Sequence, residues 1–214
     1  DDNEVYTDWY ESENYLYKIF DTIISSQYRQ THPFKIFLTR SPSVNAGALD
    51  NGFLFINVGI FKIVRDEASL ASVIGHEIGH AVESHGYKRQ VQRYHALASN
   101  NRNTVYEDLL RLYAQTRKDE LCSDTFSLVR VSKAGYDIST VSREFEAFEL
   151  ENIAYQNSHQ YRQRMKAFTW DGNVRPQDAY YINDYQKKFS THPSNKDRIS
   201  VTKKMTALLP KNNK

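Results

Sequence analysis

The segment from Asp66 to Val82 constrains the fold most, because it reads as a helix that is apolar on nearly every side and yet carries two histidines and a glutamate. Asp66 is placed to cap it, and Glu67 complements the dipole in its first turn. Ala68, Leu70, Ala71, Val73, Ile74, Ile78, Ala81 and Val82 keep apolar residues at helical spacing. Such a helix belongs in the interior, where its polar groups need partners. Those groups form the run His76-Glu77-Ile78-Gly79-His80. Histidines four apart project from one helix face, one turn from each other, and can ligate one ion. The pattern is that of a zinc site in which the glutamate serves as general base for a water. Zinc lowers the pKa of its water from about 15.7 to roughly 7, which is the chemistry of peptide hydrolysis. Gly75 and Gly79 each cost about 1 kcal/mol of helix propensity. Their place beside the motif predicts close approach by a neighbouring strand or by substrate.

Two imidazoles do not complete a site. In one zinc-protease subclass a Gly and a third His follow the second His by three and six residues. This chain has Glu83 and Gly86 at those positions, which excludes that subclass. His85 falls about 140° around a continued helix, on the wrong face for the same ion. Glu83 is better phased, but a third ligand from the same short helix would crowd the metal. The better candidate lies downstream, where residues 105–133 read as a second long helix without Gly or Pro. It contains Asp119-Glu120-Leu121-Cys122-Ser123-Asp124, in which Glu120 and Asp124 share a face. A glutamate completes a His₂Glu zinc site and leaves the fourth position open. The aspartate one turn later can accept the free ring N–H of a ligating histidine and fix its tautomer. Cys122 lies about 200° around the helix from Glu120 and reads as a packed thiol. A purely structural zinc site is disfavoured, since closed sites are normally richer in cysteine.

Ahead of the motif helix, residues 34–38 read as a short strand. Asn45 to Leu49 and Phe53 to Asn57 read as a hairpin around the turn signal Asp50-Asn51-Gly52. Towards the C-terminus a helix is expected over 139–156, with Phe145, Phe148, Ile153 and Tyr155 packing. A loop is expected over 169–178, and a last helix from Asn195 to Leu208.

Four blocks together resemble the gluzincin metalloendopeptidases of the CAAX prenyl-protease-related family, which includes HtpX-, Oma- and BepA-type enzymes. They are Val44-Asn45-Ala46 with Gly52 to Ile60; His76 to His80; Glu120 to Asp124 with Ala134 to Asp137; and Thr191-His192-Pro193 with Arg198-Ile199. The resemblance implies an α+β, mostly α-helical zincin-type fold with a small sheet or hairpin packed on the active-site helix. It implies one Zn²⁺ per chain, bound by His76, His80 and Glu120, with Glu77 as the catalytic base. Asp124 would orient a ligand, His192 would stabilise the tetrahedral oxyanion, and Arg198 would support it from behind. The strand edge at Asn45 and Ala46 would pair with extended polypeptide substrate. The third-ligand helix departs from the family pattern at Ser123 and Ser127, both small-for-small changes.

At 214 residues the chain suits a single catalytic domain over 1–214. Its expected parts are a sheet and active-site helix at about 34–97, a third-ligand helix at about 105–133 and a C-terminal helical part at about 139–208. The formal net charge of +2 indicates neither nucleic acid nor an acidic membrane as partner. The longest strongly apolar stretch, Phe53 to Val64, is too short for a transmembrane span. The first residue is Asp1 rather than Met, so an upstream segment is expected to have been removed. The expected function is zinc-dependent endopeptidase action on unfolded or envelope-associated proteins in a bacterial periplasm or cell envelope. The alternative is a latent relative acting as a chaperone-like peptide-binding module.

Overall fold

The computed structural model describes residues 10–25, 28–29, 33–98, 101–143, 145–147, 150, 154 and 194–210. Among them the chain is mostly helical, with one small sheet. Helix α1 (Tyr10–Ile23) buries Leu16, Ile19, Phe20 and Ile23, a spacing that puts all four on one face. Strands β1 (Lys35–Thr39), β2 (Ala46–Ala48) and β3 (Phe53–Asn57) form a sheet of order β1-β3-β2. β1 runs parallel to β3, with Lys35 opposite Phe53, and β2 runs antiparallel to it, with Ala46 opposite Ile56. Leu54 and Ile56 alternate inward on β3 beside Ile36 and Leu38 of β1. The expected hairpin is therefore the β2–β3 pair. Its turn needs Gly52, whose φ is +85° and whose missing Cβ would sit 2.8 Å from the Pro33 carbonyl oxygen.

A 3-10 turn over Val58–Lys62 leads into helix α2 (Glu67–Val82). The Asp66 side chain caps α2 by accepting from the Ser69 amide at 2.8 Å. As the sequence predicts, α2 is interior: Leu70, Ala71, Val73, Ile74, Ile78 and Ala81 are all buried. Around it pack α1, strands β2 and β3, helix α3 (His85–Leu97) and, most extensively, helix α4 (Arg102–Lys133). After α4, Asp137 caps a 3-10 turn over Ile138–Thr140, so the helix expected from 139 is preceded by a tighter turn. Helix α5 (Asn195–Leu208) has the expected bounds; Ser194 caps it by accepting from the Asp197 amide. Phe148, Ile153, Tyr155 and the loop expected at 169–178 lie outside the described residues. Among the described residues no helix is long and apolar enough to cross a membrane.

Candidate metal centre

The site is assembled where α2 and α4 press together, and small residues set how closely they approach. A Cβ on Gly75 would stand 2.8 Å from Ser127 Oγ, and one on Gly79 would stand 3.1 Å from Ser123 Cα. The two glycines thus meet a partner helix rather than the strand or substrate that their position suggested. Ser127 completes the seam by donating its hydroxyl to the Ser72 carbonyl at 2.7 Å. The serines that depart from the family pattern are accordingly the small residues that α2 packs against. Contact of residue 75 with 127 and of 79 with 123 makes the helices antiparallel. In that register His76 faces Asp124 and His80 faces Glu120.

Three donor atoms converge there. His76 Nε2 and His80 Nε2 are 3.0 Å apart. Glu120 places Oε2 3.5 Å from His76 Nε2 and Oε1 3.3 Å from His80 Nε2. Ligand atoms bound to zinc at its usual bond lengths with tetrahedral angles lie about 3.3 Å from each other, so the three separations suit that geometry. Among the described residues, His76, His80 and Glu120 are the group of His, Cys, Asp and Glu side chains able to hold a metal ion. Two imidazoles and one carboxylate are the donor types zinc accepts when a position stays open for water or substrate.

The surroundings favour a cation. Burial works against an imidazolium at His76, but hydrogen bonds to Asp124 and Glu120 outweigh it and hold the pKa up at about 10. Burial also opposes charge on Asp124. The hydrogen bonds from Arg198 and His76 overcome that penalty and hold its carboxyl down at about 2. Asp124 Oδ1 lies 2.8 Å from His76 Nδ1. Arg198 donates Nε to Asp124 Oδ2 at 2.8 Å and Nη2 to Oδ1, a two-pronged clamp reaching from α5. The Arg198 guanidinium lies over the Phe145 ring, 4.3 Å from its centroid. Arg198 therefore acts on His76 both through Asp124 and directly, its Nη2 lying 3.4 Å from His76 Nδ1.

The Glu77 side chain is buried on α2. Asn45 and Ala46 lie at the start of β2, the strand on the outer side of β3, and the Asn45 carbonyl accepts from the Asn57 amide at 3.1 Å. His192 lies outside the described residues. Cys122, expected to be packed, is exposed, because the α4 face opposite Glu120 is turned to solvent there.

His85 is the residue that sequence pattern misplaces: the roughly 140° offset holds only for a helix that continues past His80, and α2 stops at Val82. Ser84 adopts the left-handed conformation at φ +51°, ψ +43°, at a cost of about 1–2 kcal/mol for a residue other than glycine. The chain turns there, and His85 is buried with Nδ1 3.1 Å from His80 Nδ1. Burial pushes the His85 imidazole down, with Asp119 opposing. The one cue in the sequence was the end of the apolar run at Val82, just before Gly86.

Comparison with known proteins gives this geometry a context. A sequence model of peptidase family M48 matches residues 11–206. The mitochondrial metalloendopeptidase OMA1 of Arabidopsis thaliana is 32% identical over 114 residues, covering 49% of this chain and 23% of that protein. A putative beta-barrel assembly-enhancing protease of Vibrio cholerae is 25% identical over 153 residues, covering 61% of this chain and 31% of that protein. The mitochondrial metalloendopeptidase OMA1 of Bos taurus is 39% identical over 54 residues, covering 25% of this chain and 10% of that protein. Each match thus spans less than a third of the relative's own length.

Proposed function

The chain belongs to peptidase family M48, and on that premise we propose that it is a zinc metalloendopeptidase whose ion is held by His76, His80 and Glu120. The observation that carries this reading is the convergence of those three side chains at separations of 3.0, 3.3 and 3.5 Å. When bound, the ion supplies Lewis acidity, polarising both a water and the scissile carbonyl. Glu77 is the proton carrier: its carboxylate takes a proton from the attacking water and delivers it to the departing amine. Asp124 holds His76 by its Nδ1–H and keeps Nε2 turned to the donor cluster, while Arg198 holds Asp124. His192 is assigned to the developing oxyanion on the strength of the family motif.

Substrate is proposed to enter as an extended polypeptide beside β2, near Asn45 and Ala46. Main-chain pairing there supplies affinity without strong sequence selectivity, which suits unfolded or envelope-associated proteins. The name of the Vibrio relative supports a bacterial periplasm or cell envelope as the compartment. We take residues 1–214 as one catalytic domain, because α1 packs on α2 and α5 packs on α4 around the same centre.

The test is cleavage of casein or a quenched peptide by the purified chain. Activity is expected to require about one zinc per chain, to stop with a chelator and to return when zinc is restored. Glu77→Gln is expected to lower kcat/KM by about a thousandfold while retaining the metal. Chelator-insensitive cleavage, or full activity in Glu77→Gln, overturns the reading.

A further inference from the structure

A histidine that binds metal through one ring nitrogen keeps an N–H on the other, and that N–H needs an acceptor to fix the ring. For His76 the acceptor is Asp124. For His80 the neighbour at Nδ1 is another imidazole, His85, whose Nδ1 is 3.1 Å away. Two ring nitrogens this close make a hydrogen bond only if one carries the proton and the other is bare. His80 Nε2 lies in the donor cluster, so its proton belongs on Nδ1 and His85 Nδ1 is the acceptor. The His85 proton then sits on Nε2. Asp119 Oδ1 lies 3.8 Å from that atom, beyond a direct hydrogen bond but near enough to favour this tautomer. Asp119 is itself anchored by Gln115 Nε2 at 2.8 Å. The left-handed turn at Ser84 is what brings His85 back against His80.

We propose that His85 is a positioning residue for His80: it accepts the His80 Nδ1–H and thereby presents His80 Nε2 to the ion, with Asp119 selecting the His85 tautomer. The inference rests on the zinc reading above and deepens it. The two ligating histidines would then be oriented by different means, one by a carboxylate clamped by arginine and the other by a neutral imidazole. A histidine that merely fills space between α2, α3 and α4 would not discriminate between replacements by their acceptor atoms.

The experiment measures zinc affinity by chelator competition in wild type, His85→Leu and His85→Asn, beside the melting temperature of each metal-free protein. Leucine removes the acceptor, and zinc binding is expected to weaken roughly 10- to 100-fold. Asparagine can put its side-chain oxygen near the former Nδ1 position and is expected to recover most of that loss, even where the melting temperatures of the two variants fall together. Wild-type affinity in His85→Leu, or equal losses in both variants, overturns the proposal. Imidazole-nitrogen NMR of the zinc-loaded wild type tests it without any substitution. Protons on His80 Nδ1 and His85 Nε2 are expected, and a proton on His85 Nδ1 overturns it. Failure of the wild type itself to take up zinc would instead remove the zinc reading, and this inference with it.

Discussion

The two ends of α2 solve the same problem in opposite ways. Both gather polar groups that need partners: at one end the exposed Glu67 meets the buried Tyr136, and at the other Glu120 and Asp124 are themselves buried. At the N-terminal end the chain supplies its own donors. Glu67 accepts from the Tyr15 hydroxyl at 2.8 Å and from the Tyr136 hydroxyl at 2.6 Å, which ties α1 and the segment after α4 to the start of the helix. At the other end, His76 and His80 gather with Glu120 and Asp124. Arg198 donates to Asp124 there through Nε and Nη2. One end closes on protein, whereas the other brings together the residues proposed to hold the metal. Substitutions should therefore separate the two ends cleanly.

The largest effect is expected from His80→Ala, which removes one of the three donors. The protein should lose stoichiometric zinc by elemental analysis and lose cleavage altogether. Full metal retention would break the ligand assignment. Next comes Gly79→Val. Its side chain would press on the Ser123 backbone, where even a Cβ stands at 3.1 Å, and overpacking of this kind costs about 1–3 kcal/mol. Because Ser123 lies between Glu120 and Asp124 on α4, zinc affinity should fall together with the urea midpoint. A variant that lost stability but bound zinc as wild type would show that helix spacing does not govern the centre.

Arg198→Lys should be milder and should sharpen the comparison. Lysine keeps the charge but cannot make the two-pronged clamp on Asp124. Zinc affinity is expected to weaken by about tenfold through a looser His76, with a smaller fall in the melting temperature of the metal-free protein, because the Arg198 hydrogen bonds also stabilise the ionised Asp124. A large fall in that temperature with unchanged zinc affinity would place Arg198 with the structural end of the molecule instead.

Much of this organisation was legible from residue pattern, and the parts that were not share a physical reason. The Asp66–Val82 helix, the long partner helix, the β2–β3 hairpin and the Asn195–Leu208 helix follow from periodicity, capping residues and turn chemistry, all of which are local signals. The pairing of Glu120 and Asp124 with the motif helix could be anticipated because carboxylates four apart share a face. The turn at Ser84 could not, since a serine in the left-handed region leaves no trace in composition, and without it His85 is assigned to the wrong side. The contacts of Glu67 with Tyr15 and Tyr136 span 52 and 69 residues of sequence, and the chain's 15 tyrosines offered no means of choosing these two. Gly75 and Gly79 announced a close approach without saying by what. Periodicity reports which face is buried, and only the tertiary structure reports what buries it.

The smallest predicted effect tests whether the N-terminal end is structural alone. Tyr136→Phe removes a hydroxyl that donates to a carboxylate, at an expected cost of about 1.5 kcal/mol, while zinc content and kcat/KM should stay unchanged. Burial, followed by the hydrogen bond and charge of Glu67, raises the Tyr136 pKa above the ordinary tyrosine value, and Tyr15 shifts in the same direction. A group whose pKa is raised by folding contributes stability that is fully present below its unfolded pKa, about 10 for tyrosine. That contribution is lost as pH rises towards the folded value. Asp124 behaves in the opposite sense. Its pKa is depressed to about 2, so its contribution is present above the unfolded value of about 3.9 and lost as pH falls through the acid range. The metal-free protein should therefore weaken from the Asp124 end in acid and from the Glu67 end in alkali. Urea midpoints measured from about pH 8 to pH 11 should converge for wild type and Tyr136→Phe as the wild-type advantage disappears. A gap that stayed constant across that range would mean that the Tyr136 hydroxyl contributes through packing rather than through its proton on Glu67.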